Sequence, residues 1–183
     1  MPDYNQMQLI KRHFFAMRNG VIADTLRKSR LDYKIIFGLN LPQLAEQAAT
    51  LPHTPELAEE LWADCRTRES LLLAPMLYPP EMMDEATARR WFASAPTTEV
   101  ADVLCHRLLR KLPCAYAMAM DHIADPDDLR RYTAFRLLFN IVGSCASQIK
   151  PFVEAELAAG NPLTKRLCAN LLDEIEFITD TAQ

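Results

Sequence analysis

The sequence predicts an all-α protein, a helical-repeat solenoid of about ten helices. Three observations point there. Leu, Ala, Glu, Arg and Met abound while only four glycines occur in 183 residues, a balance that favours helix over strand. Nearly every segment places its apolar residues at helical spacing, and no alternating strand pattern of useful length appears. Finally, inner-helix landmarks recur along the chain.

Taken in order, residues 5–17 put Met7, Ile10, Phe14 and Met17 on one side of a helix, and residues 20–29 do the same with Val21, Ile22 and Leu26. Proline then punctuates. LPQLAEQAAT begins near Pro42 and TPELAEELWAD near Pro55, where Thr54 supplies an N-cap and the proline occupies the first turn. RESLLLAPMLY is apolar almost all round and is bent or ended near Pro75. DEATARRWFAS, TTEVADVLCHRLLRK, PCAYAMAMDHIA, DPDDLRRYTAFRLLFNIV, SQIKPFVEAELAAG and NPLTKRLCANLLDEIEFIT complete the series. Asp125-Pro126 and Asn161-Pro162 repeat the capped-proline device, and Gly160 reads as a helix stop.

The repeat is visible as Arg68–Ala74, Arg131–Leu137 and Arg166–Leu172, with offsets of 63 and 35 residues and TTEVADVLCHRLL as the intervening unit. A period in the thirties with two helices per unit marks a solenoid, because a helix pair buries its apolar face only by stacking on the next pair. The whole of residues 1–183 is read as one such domain, with a globular helix bundle as the plain alternative.

Charge and cysteine content narrow the function. The net charge is −4, yet residues 1–34 hold seven Lys/Arg against three Asp, a local +4 that leaves −8 for the remainder. A basic entrance before an acidic body suits a local anion contact. The start MPDYNQMQLIKRHFF has no apolar signal region, no apolar run is long enough to span a membrane, and the five cysteines form no CxxC pair; a cytoplasmic, reduced protein is expected. No Walker, Rossmann, kinase or hydrolase motif occurs, and Cys105, His106, Cys114 and His122 lack metal-ligand spacing, so neither cofactor nor metal is expected.

Three pieces together resemble the bacterial AlkD-like family of HEAT-repeat DNA alkylation-repair glycosylases, an armadillo-type superhelix. They are ELWADCRTRESLLLAPMLY (60–78), RWFASAPTTEVADVLCHRLL (90–109) and DPDDLRRYTAFRLL (125–138). The resemblance covers roughly residues 50–175. It implies a protein that cradles duplex DNA in a concave face and hydrolyses the N-glycosidic bond of alkylated purines. A carboxylate would stabilise the developing cationic sugar and position water. Asp102 matches the family's aspartate, and Arg131, with Arg130 beside it, matches its phosphate-gripping arginine. Arg68 and Arg18 are expected as supporting DNA contacts. Asp102 and Arg131 are expected to open onto one shared hollow.

The sequence departs from the family where aromatic residues should flank the lesion. Thr98 stands at the first such position and Asp128 near the double arginine, and the late aromatic has no evident counterpart. The alternative function is a non-enzymatic helical-repeat scaffold that binds a protein partner. Each candidate also has a plainer role. Asp102 would pair with Arg107 or His106 at helical spacing, the double arginine would be a solvated first turn, and Trp62 and Trp91 would be core. The N-terminal set Lys11, Arg12, Arg18, Arg27, Lys28 and Arg30 would clamp DNA or form polar helix faces. Oligomeric state and lesion preference are left open.

Overall fold

The computed structural model describes residues 5–29 and 33–181. Among them are eleven α-helices and no strand; the sole β feature is an isolated bridge between Ile35 and Thr67. The chain forms two compact units, Met1–Met83 and Asp84–Gln183. Arg30 of the basic N-terminal set lies outside the described residues.

The first unit contains α1 (Gln6–Ala16), α2 (Gly20–Lys28), α3 (Leu41–Ala48), α4 (Pro55–Ala63) and α5 (Arg68–Leu77). Local chemistry fixes their starts. Asn5 and Gln8 form a reciprocal capping box on α1, as Asn40 and Gln43 do on α3. Thr54 caps α4 by accepting from Leu57 N, with Pro55 in the first turn. Pro75 lies inside α5, which runs on to Leu77. Helix α5 packs on both α3 and α4 and is buried along almost its whole length, Arg68 and Glu69 included. Trp62 joins this core.

Glu69 ties α5 to the preceding loop. Its fully buried carboxylate accepts from Phe37 N at 3.1 Å, Gly38 N at 2.9 Å and Arg68 Nη1 at 2.9 Å. Arg68 Nη1 also donates to Leu39 O. Gly38 has φ +82°, and a Cβ there would meet Asn19 O at 2.3 Å. Only glycine lets this loop lie so close to the start of α2.

The second unit contains α6 (Glu85–Ser94), α7 (Thr98–Arg107), α8 (Ala115–Met120), α9 (Asp128–Asn140), α10 (Ala146–Ala159) and α11 (Lys165–Thr181). Helix α9 is its hub and packs against α6, α7, α8 and α11, while α10 pairs with α11. Trp91, Phe92, Phe135, Leu138 and Ile175 are buried in this unit, so both tryptophans serve as core. Gly160, at φ +72°, ends α10 as the sequence predicts.

The Asx-Pro pairs act differently from the expected caps. Asp127, not Asp125, caps α9 by accepting from Arg130 N. Asp125 Oδ1 accepts from Asp127 N, and Asn161 Oδ1 from Leu163 N. Each pair therefore builds an Asx turn that delivers the chain to a helix starting two or more residues later.

Candidate nucleic-acid interface

Three adjacent helices each offer two polar residues four apart. Helix α7 carries Thr98 and Asp102, α9 carries Tyr132 and Arg136, and α11 carries Arg166 and Asn170. Residues i and i+4 share a helix face, and α9 touches both α7 and α11. The six side chains line one open pocket of about 480 Å³, completed by Leu163 and Leu167. Their numbers keep a constant step of 34 residues, through 98, 132, 166 and through 102, 136, 170. The pocket is thus a stack of equivalent positions on successive repeats.

Asp102 is its electrostatic centre. Tyr132 donates its hydroxyl to Asp102 Oδ1 at 2.8 Å, and Arg136 Nε lies 2.9 Å from the same oxygen. The arginine contact is a close ion pair whose N–H is not aligned for a hydrogen bond. Burial pushes the Asp102 carboxyl above its usual range, and Tyr132 and Arg136 pull it back only in part. Burial, then the Asp102 charge, holds the Tyr132 hydroxyl far above its ordinary value, so it stays a donor. With Asp102 ionised, Arg136 and Arg166 leave the pocket net positive. Thr98 occupies the wall where the family resemblance implies an aromatic ring.

Arg131 does not join Asp102. It sits one position along α9 from Tyr132, about 100° round the helix, and lines a separate pocket with Phe135, Phe152 and Glu156. Nε lies 3.2 Å from Glu156 Oε1, Nη1 donates to Asp125 O at 2.9 Å, and Nη2 donates to Asp128. All three nitrogens hold protein groups, and Asp128 is its partner. The shared hollow predicted for Asp102 and Arg131 is therefore not formed; Arg136 stands in the place expected of Arg131.

The other predicted contacts divide. Arg130 is half-exposed, 3.6 Å from Asp125 Oδ2. Arg68 is 4% exposed and binds Leu39 O and Glu69, so its guanidinium braces the fold and is closed to a phosphate. Arg18 is exposed, stacked 3.9 Å from the Phe15 ring centroid, and lines a pocket in the first unit. Sequence reasoning misses Tyr132, Arg136, Arg166 and Asn170. The signal that finds them is the i, i+4 pairing repeated at a step of 34, in place of the 35 that the arginine landmarks suggest.

Among the described residues, no group of three His, Cys, Asp or Glu is placed to hold a metal ion, and no helix is long and apolar enough to cross a membrane.

The fold is shared with a solved structure described as a new family of proteins related to the HEAT-like repeat DNA glycosylases with affinity for branched DNA structures. The two superpose with a TM-score of 0.77 at 20% identity, over 89% of this chain and 72% of that one. No family model matches the chain, and no curated protein matches it. The present chain therefore has the HEAT-like helical-repeat fold.

Proposed function

We propose that this chain is a DNA-binding helical-repeat protein that holds the phosphate backbone at the Asp102 pocket. The observation that carries the reading is the convergence of Arg136 and Arg166 on one open pocket in which Asp102 is the only acidic lining residue. The fold likeness supports it, since the matched protein belongs to a family with affinity for branched DNA. In this reading Arg166 and Asn170 contact phosphate directly from α11. Asp102, itself fixed by Tyr132, aims Arg136 at the same backbone. A guanidinium suits the task because it is always charged and presents donors in a fixed fork.

Anisotropy of labelled duplex and four-way junction, titrated at about 50 and 200 mM salt, tests this. Two neutralised phosphates give a roughly tenfold weakening across that interval. Absence of binding to either substrate at the lower salt contradicts the proposal. Capture of an apolar protein partner, by contrast, would show little salt dependence.

A second reading, excision of alkylated purines, rests on one feature. Tyr132 and Arg136 both contact Oδ1 of Asp102 and the residue lines an open pocket, as a fixed carboxylate facing a developing cationic sugar would require. Release of a methylated purine that disappears in Asp102→Asn, under conditions where the variant is saturated with DNA, would establish it. Equal release by that variant removes Asp102 from the chemistry.

A further inference from the structure

The first unit holds a second pocket built unlike the Asp102 site. The end of α1, helix α2 and the loop at residues 34–37 border an open pocket of about 270 Å³. Ile36 and Phe37 give it an apolar wall, and Arg18, Arg27 and Lys34 bring three cations to it. Phe15 lines it while remaining 57% exposed. The exposed ring carries the Arg18 guanidinium 3.9 Å from its centroid, a cation–π pair at the mouth of the pocket.

The wall is rigid. Asn19 N donates to Phe37 O at 2.9 Å, and Glu69 holds the amides of Phe37 and Gly38 from behind. Ile35 is bridged to Thr67 through Ile35 N–Arg66 O and Arg68 N–Ile35 O. Phe37 also rests against buried Phe14, with centroids 5.7 Å apart. The wall is thus held by the fold itself, which spares binding the cost of ordering it.

From this arrangement we infer that the pocket receives an unpaired nucleotide of a DNA end or branch. The base stacks on the Phe15–Arg18 pair against the apolar wall, and Arg27 and Lys34 take the flanking phosphate. Aromatic rings and guanidinium planes are the two surfaces on which proteins stack unpaired bases. Arg27 shares its guanidinium with Asp24 at 2.7 Å and with Ile36 O at 3.3 Å. With five N–H donors and 55% exposure it keeps capacity for a phosphate. A paired base offers no free face, so the pocket selects single-stranded nucleotides over blunt duplex. The inference rests on the DNA-binding reading and specifies which DNA structure is preferred.

The test compares a blunt duplex with the same duplex bearing a short single-stranded overhang, using the full chain at one salt concentration. The wild type is expected to bind the overhang substrate about tenfold tighter, the contribution of one stacked base. Phe15→Ala should erase that preference and leave blunt-duplex affinity unchanged. Its exposed position spares the core, which a thermal melt verifies. Gly20→Leu is a second probe. It adds bulk at the pocket where a Cβ meets nothing within 4 Å, and should also erase the preference. Equal affinity of the wild type for both substrates, or a preference that survives both variants, overturns the inference while the DNA-binding reading stands. No binding to either substrate at low salt overturns both.

Discussion

Tyr132 donates its hydroxyl to Asp102 across the α7–α9 contact, at 2.8 Å. The pair joins neighbouring repeats and fixes the only carboxylate in a pocket that also holds two arginines. The organisation of the site follows from it. A carboxylate held on one oxygen by a phenol and a guanidinium acts first to orient that guanidinium.

Tyr132→Phe keeps the ring and removes the donor. Asp102 then loses the hydrogen bond that lowers its proton affinity, so its titration moves further upward. Stability should fall by about 1 kcal/mol, the ordinary worth of a hydrogen bond. Urea melts of both proteins, with a carbon-detected titration of the Asp102 carboxyl, check both effects.

Asp102→Asn should change how stability depends on pH. The folded-state carboxyl titrates above its ordinary 3.8 because burial penalises the charge. Between those two values the folded chain carries more proton at this site than the unfolded chain. The contribution is fully present below 3.8 and is lost as pH rises through the folded value. The difference in Tm, variant minus wild type, should therefore climb as pH rises from 3.8 and then level off. A difference that stays flat or declines contradicts the assignment.

Glu69→Ala should destabilise the first unit by about 3–5 kcal/mol, because it removes a buried carboxylate that is ion-paired to the buried Arg68. Two loop amides are also deprived of their acceptor. A shift of this size in the denaturation midpoint, seen by amide exchange at Phe37 and Gly38, would confirm that the loop is held from α5.

Thiol labelling should be strongly graded. Cys65 is exposed, whereas Cys105, Cys145 and Cys168 are buried. Burial pushes Cys168 up to about 12 and Cys105 higher still. A thiolate-specific reagent near neutral pH should therefore modify Cys65 first and the buried thiols only on unfolding.

Much of the fold is legible in the sequence because helix formation is governed locally. Thr54-Pro55 starts a helix and Gly160 ends one through chemistry contained in a few neighbouring residues. Asp125 and Asn161 mislead for an instructive reason. An Asx side chain satisfies a turn amide as readily as a helix amide, and only tertiary packing decides where the first helical turn forms.

The site is legible in part. Asp102 lines an open pocket, but the conspicuous arginines Arg68, Arg131 and Arg166 set the repeat in the wrong register. That register is one residue out between α9 and α11, and one residue on a helix is about 100°. The shift carries Arg131 to Asp128 and Glu156 and brings Arg136 to Asp102. Which member of Arg130, Arg131 and Arg136 faces the neighbouring helix is fixed by packing, which composition and spacing do not encode. Arg68 makes the same point from burial, since a charged residue at a repeat landmark is an internal brace.

The most direct test of the central claim is the salt dependence of DNA binding with the pocket's cations removed. Affinity is measured against log salt for the wild type and for Arg136→Ala/Arg166→Ala. Binding by the wild type should be salt-sensitive, with a slope lower by about two in the double variant, roughly one unit for each phosphate that is no longer neutralised. An unchanged slope in the double variant would contradict it.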